Sequence, residues 1–304
     1  MNRSEESNCL IRSYMSLKLI ALDLDGTTLN NEHQISDKML STIRRLSKKG
    51  IIVMIATGRS IVSTVEYALQ LDLSVPVPVS VFNGSVGFMV TGKSMAVGEK
   101  KELMYSNPIP IPMCRELIDF ANKYNWVVQY YNAETGEVSC CPKSDSHVEL
   151  LKKYEELTGK RQTYLKSFDQ LLESHGSAKL IIFSHDCDDL IEKARAELTQ
   201  GIWHFFKGTD YFCEFLHADM SKGEGLKTMI KQLGVDLKQV VAFGDGNNDK
   251  EFIEYAGLGV AMRNASELAK SVADEITEFT NDEDGVALHL EKLERQGKFQ
   301  LEQE

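Results

Sequence analysis

The sequence predicts an α/β fold in which a parallel central sheet is interrupted by an inserted α+β domain. Three observations carry this. Four short runs rich in Ile, Val, Leu or Phe each stop at polar residues and lead into a helical pattern, which marks strands buried on both faces by helices. Their polar ends carry related chemistry, and in open α/β sheets ligands gather at the carboxyl ends of strands. The middle of the chain, by contrast, has strand and helix patterns without acidic strand ends.

Taken in order, residues 1–16 ("MNRSEESNCLIRSYMS") carry both signs of charge and no continuous apolar region, so they read as a disordered extension rather than a secretory signal. The first run, "LKLIALDLDGT" (17–27), ends in Asp23 and Asp25. Side chains two apart on a strand share a side, so these carboxylates are expected to converge, with Gly26 permitting the turn. Two carboxylates about 4 Å apart repel by roughly 4 kcal/mol at an effective dielectric near 20. A solvated turn relieves that repulsion, and so does a bound cation. The second run, "GIIVMIATGRS" (50–60), ends at Thr57 and Gly58, which suit a phosphoryl oxygen or a plain turn. The third, "VPVSVFNGS" (77–85), ends at Asn83 and Gly84, again a common turn pair.

Residues 101–211 alternate helical patterns ("CRELIDFANKYN", "HVELLKKYEELTG", "LIEKARAELTQG") with strand-like ones ("WVVQYY", "AKLIIFSH", "IWHFFKG"). They are expected to form the inserted domain, and the prolines of "NPIPIPM" (107–113) place a loop near its start. Trp126, Tyr130, Tyr131 and Trp203 are read as core residues of that domain rather than pocket residues. "HDCDD" (185–189) is read as a loop and helix start rather than a metal site.

Residues 17–100 and 212–304 then make the main domain. In its second part, "SKGE" (221–224) is a capping box opening a helix that stops at Gly234. Lys222 falls at the first helical position, where a cation opposes the helix dipole at a cost of about 0.3–1 kcal/mol. An anion or carboxylate cluster in front of the helix would favour lysine there; a solvated lysine tolerated at slight cost is the plainer reading. The fourth run, "QVVAFGDGNND" (239–249), supplies Asp245, Asn248 and Asp249. A calcium loop would need Gly at Lys250 and Glu at Ala256, and a dinucleotide fingerprint would need Gly at Asp249, so both readings fail.

The 304 residues are 42% hydrophobic with a formal net charge of −11. That charge disfavours non-specific binding to nucleic acid or anionic lipid, and no run approaches the roughly 20 apolar residues of a membrane span. Six cysteines without C-x-x-C spacing suit neither a disulfide scaffold nor zinc, and point to the cytoplasm. The grouped aspartates form an oxygen-only donor set that suits Mg²⁺ better than zinc or copper.

"DLDGTTL" (23–29), "ATGR" (56–59), Lys222 and "GDGNND" (244–249), in that order, resemble the four motifs of the haloacid dehalogenase (HAD) superfamily. "FNG", the long insertion and the tail at 259–287 resemble its Cof-type sugar-phosphatase subfamily. One departure is Lys250, where relatives usually carry an apolar residue. The resemblance implies a HAD-type Rossmannoid core with an inserted α/β cap that selects substrate, and an Mg²⁺-dependent phosphatase acting on a small phosphorylated metabolite such as a sugar phosphate. It further implies Asp23 as nucleophile, Asp25 as general acid and base, and Mg²⁺ held by Asp23, the Asp25 carbonyl and Asp245, with Asp249 and Asn248 supporting. Thr57 and Lys222 would bind phosphoryl oxygens, with Gly26, Gly58 and Asn83 around them. A phosphomutase of the same superfamily, or a metabolite-binding protein without turnover, is the alternative.

Overall fold

The computed structural model describes residues 16–92, 102–159 and 161–299, so the expectation for residues 1–15 lies outside the described residues. From Leu19 the chain forms β1 (Leu19–Leu22), α1 (Asp37–Lys48), β2 (Ile52–Ala56), α2 (Ile61–Gln70), β3 (Val77–Val81), β4 (Val86–Val90) and β5 (Glu102–Ser106). It continues as α3 (Ile111–Lys123), β6 (Val127–Asn132), β7 (Val138–Cys140), α4 (Asp145–Thr158), β8 (Thr163–Tyr164), α5 (Leu171–Ser174), β9 (Ser177–Phe183), α6 (Cys187–Glu197), β10 (Trp203–Thr209) and β11 (Phe212–His217). Then follow α7 (Lys222–Leu233), β12 (Val240–Gly244), α8 (Lys250–Tyr255), β13 (Leu258–Ala261), α9 (Glu267–Val272), β14 (Glu275–Ile276) and α10 (Gly285–Arg295).

The chain divides into two compact units, Met1–Tyr105 with Ser221–Glu304, and Ser106–Met220. The first holds a sheet of order β14-β13-β12-β1-β2-β3-β4-β5. Pairing is parallel from β14 through β3 and antiparallel between β3 and β4. Every residue of β1, β3 and β12 is buried, as the largely apolar runs lead one to expect, and the one hydroxyl among them, Ser80 of β3, lies 2.7 Å from the Tyr105 hydroxyl. Leu226, Met229 and Ile230 of α7 pack with Leu19, Ala21, Met54 and Ala56 in one core cluster. Register matters most here: Leu22 of β1 lies opposite Phe243 of β12 and Ile55 of β2, so Asp23, Asp245 and Thr57 leave neighbouring strands at one edge.

The second unit is a sheet of order β10-β11-β9-β6-β7-β8, antiparallel except between β7 and β8. Its boundaries differ from those expected at 101 and 211. Residues 101–105 fall with the first unit and 212–220 with the second, because β5 joins the large sheet while β11 pairs with β10 and β9. Tyr130 and Tyr131 are fully buried and Trp203 is buried, whereas Trp126 is half-buried and lines a cavity. In "HDCDD", Asp186 caps α6, its Oδ1 accepting from the N–H groups of Asp188 and Asp189. Cys114, Cys140, Cys141, Cys187 and Cys213 are all free thiols.

Candidate active site

Asp23 is the first residue past β1 and is buried. The chain then turns tightly through Leu24–Thr28, with Gly26 at φ +71°. A β-carbon at Gly26 would sit 2.4 Å from Asp245 Oδ2, so glycine serves both the backbone angle and the approach of Asp245. Thr27 Oγ1 donates to Asp245 Oδ1 at 2.8 Å, and Thr28 Oγ1 donates to the Asp23 carbonyl at 2.6 Å.

Lys222 arrives from α7. Ser221 is the N-cap, its Oγ accepting from Glu224 N at 3.3 Å, and the helix ends at Gly234 in the left-handed region. The Lys222 ammonium is buried and donates to Asp23 Oδ1 at 2.6 Å and to Asp249 Oδ1 at 2.7 Å. Carboxylates in front of the helix thus accompany its unfavourable place at the first turn. The other oxygen of Asp249 accepts from the N–H groups of Asp245 and Gly246 at 3.0 and 2.8 Å, which fixes the fully buried carboxylate in the "GDGNND" turn.

One carboxylate oxygen from each of Asp23, Asp245 and Asp249 lies within 4.8 Å of the others. Three carboxylates face one ammonium, so two negative charges stay uncompensated when all are ionised. Burial, then the Asp249 charge, pushes the Asp23 carboxyl well above its ordinary range against the pull of Lys222. Burial also raises Asp245, outweighing the Thr27 hydroxyl. For Lys222, burial alone would lower the pKa, but Asp23 and Asp249 raise it, so it stays charged. An oxygen-only, electron-rich cluster of this kind fits a hard divalent cation.

Asp25 behaves differently. Its place two residues after Asp23 predicts crowding, but Asp25 lies beyond the strand, half-exposed, and takes its own cation. Arg59 Nε donates to Asp25 Oδ2 at 2.7 Å and Arg59 Nη2 to Oδ1, while His33 Nδ1 stands 3.7 Å from Oδ1. Burial would raise the Asp25 pKa, yet the Arg59 bonds and charge hold it below the ordinary value. Arg59 is itself steadied by Tyr67, whose hydroxyl accepts from Nη1 at 3.2 Å and donates to the His33 carbonyl at 3.2 Å. The carboxylates crowding Asp23 are therefore Asp249 and Asp245.

Thr57 is buried beside β3, its N–H donating to the Ser80 carbonyl at 2.9 Å and its Oγ1 accepting from Arg59 N at 3.2 Å. A β-carbon at Gly58 would lie 2.9 Å from Asn83 Oδ1, the atom to which exposed Asn248 donates at 3.0 Å. Asn83 holds φ +52°. The structure thus brings Asp23, Lys222, Asp245, Asp249 and Gly26 into direct contact, sets Thr57, Gly58, Asn83 and Asn248 as a second group, and gives Asp25 to Arg59. Arg59 and Thr27 both take part in the site without a role expected from the sequence, although they stand within "ATGR" and "DLDGTTL". Asn264, which donates to the Gly26 carbonyl at 2.8 Å, had no local signal.

The profile of the haloacid dehalogenase-like hydrolases matches residues 20–290. Among characterised relatives, the Bacillus subtilis 5-amino-6-(5-phospho-D-ribitylamino)uracil phosphatase YitU is 30% identical over 90% of this chain and 96% of its own. Phosphatase YwpJ of the same organism is 30% identical over 91% of this chain and 100% of its own. A haloacid dehalogenase-like hydrolase from Bacteroides thetaiotaomicron has a solved structure of similar fold, with TM-score 0.75 at 31% identity over 91% of this chain and 99% of its own.

Proposed function

Because the chain belongs to the haloacid dehalogenase-like hydrolase family and is a phosphoric monoester hydrolase, we propose that it is an Mg²⁺-dependent phosphatase of small phosphorylated metabolites working through an aspartyl-phosphate on Asp23. The observation carrying this reading is the buried Lys222 bridging Asp23 and Asp249, with a third carboxylate, Asp245, alongside.

In the proposed cycle a bond forms between an Asp23 oxygen and phosphorus as the bond to the leaving oxygen breaks in line with it. Asp25 gives that oxygen a proton, then takes one from the water that cleaves the acyl phosphate and frees Asp23. Arg59 keeps Asp25 ionised at rest, and the phosphate dianion arriving beside it favours the protonated form needed for the first step. Lys222 and Thr57 hold phosphoryl oxygens where negative charge gathers. Asp23, Asp245 and the Asp25 carbonyl would hold Mg²⁺, with Asp249 and Asn248 in support. The bound ion would add a Lewis-acid charge toward the phosphoryl oxygens.

Sugar phosphates lead the substrate classes, and the name of YitU, with its 5-phospho-D-ribitylamino group, adds phosphorylated polyols. A cytoplasmic location accords with the free thiols, and no described helix is long and apolar enough to cross a membrane. The test is phosphate release from sugar phosphates, polyol phosphates, nucleotides and p-nitrophenyl phosphate, with Mg²⁺ or chelator, for wild type and Asp23→Asn. Release requiring both Mg²⁺ and Asp23 supports the proposal. An isomerised sugar phosphate without free phosphate would assign a mutase.

A further inference from the structure

Within the second unit, a cavity of about 260 Å³ opens between α3, the 165–169 loop and α5, lined by no residue of the site above. Its charged groups are Arg115, Lys143, Lys166, Asp119 and Asp169. Its apolar wall includes Trp126, Val128 and Phe168.

Two features bear on what it could take. First, its lining sets three exposed cations against two exposed carboxylates, a net positive charge. Among the described residues none of the three cations makes an ion pair within 4.0 Å. Arg115 spends one nitrogen on the Leu172 carbonyl at 3.3 Å, Lys143 spends one proton on Asn122 Oδ1 at 2.5 Å, and exposed Lys166 has no partner among the described residues. Second, half-buried Trp126 stacks on Tyr124 at 4.8 Å between ring centroids, yet its indole N–H has no acceptor among the described residues.

We propose that this cavity is a second ligand site, which takes a small anion, a carboxylate or a phosphoryl group, carried on one flat apolar ring. The ring would lie on Trp126 and Phe168, and the anion would accept from Lys166, Arg115 and the indole N–H. Asp119 and Asp169 set an electrostatic limit, because a highly charged polyanion would meet both. The size agrees, since a single benzene fills a cavity of about 150 Å³, leaving room here for one anionic substituent.

The chain has two tryptophans, so Trp203→Phe leaves Trp126 as sole reporter. The probe is phenylphosphonate, which has no ester bond to hydrolyse, with benzylamine as cationic and inorganic phosphate as ringless control. Phenylphosphonate should quench Trp126 saturably with a dissociation constant between about 10 μM and 1 mM, and both controls should bind at least about tenfold more weakly. Lys166→Glu should weaken the phosphonate about tenfold without changing secondary structure. In wild type, Cys141, which lines the cavity and is half-buried where the other described cysteines are buried, should be shielded from iodoacetamide by the same ligand. No saturable quench and no Cys141 shielding would overturn the proposal. So would equal binding of benzylamine, or affinity indifferent to Lys166→Glu.

Discussion

Lys222 is the residue on which the site balances. Removing it by Lys222→Met leaves Asp23 and Asp249 buried without their cation, a loss of about 3–5 kcal/mol by analogy with other broken buried pairs. Chemical denaturation of the metal-free protein should show it, together with loss of phosphate release. Metal-free wild type should also show a particular pH dependence. Asp23 and Asp245 have folded pKa values raised above their unfolded ones, so the folded state holds more protons in that window and stability falls as pH rises through it. Saturating Mg²⁺ should remove this slope, and a slope unchanged by Mg²⁺ would contradict the metal assignment. Asp25 has the opposite sign. Its folded pKa is depressed, so its contribution is present above the unfolded value near 4 and is lost as pH falls through the folded one. Arg59→Met should let burial raise the Asp25 pKa, moving the limb of the pH–rate profile that reports its ionisation to higher pH. Lys222 was readable in the sequence because a lysine at the first helical turn contradicts local helix physics. The Arg59–Asp25 pair was not, because spacing along the chain says nothing about which way two side chains on different strand ends turn.

The elements that carry these residues leave little room for adjustment. Gly84, after β3, has φ +97°, and a β-carbon there would lie 2.1 Å from the Ser221 carbonyl at the start of α7. Gly84→Ala should therefore shift the helix end that presents Lys222, lowering both the melting temperature and phosphate release. Ser221→Ala, which removes only the cap, should cost about 1 kcal/mol and much less activity. A glycine variant as active as wild type would show that the position of α7 does not matter. The strand-to-helix grammar was readable at β1, β2 and β12, because strands buried on both faces tend to be apolar without alternation, whereas β3 turns back into antiparallel β4 instead of a helix and β4, β5, β13 and β14 carried no reading of their own. β11 was assigned to the wrong side of the second boundary because its membership is decided by antiparallel pairing with β9 and β10, and that pairing leaves no local mark.

At the scale of the whole molecule, the two units each have a core of their own. The second gathers Leu117, Tyr130, Leu180, Ile182 and Phe215 in one buried cluster. Residues 106–220 alone should thus unfold cooperatively in denaturant, read by near-ultraviolet circular dichroism; a chain without a transition would mean the insertion depends on its host. The insertion itself was legible as a change of composition, whereas its cavity was not, since residues from α3, β6, the 141–143 stretch and the 165–169 loop meet only after folding. Phosphate release through Asp23 turns on one covalent event. The most direct measurement is acid quenching during turnover of a hydrolysed sugar phosphate, followed by mass spectrometry of the peptide that spans Asp23. A phosphoryl group should appear on Asp23, more of it in Asp25→Asn if that variant still forms the intermediate, and none in Asp23→Asn. Undiminished turnover in Asp23→Asn, or a phosphoryl group trapped on another residue, would contradict it.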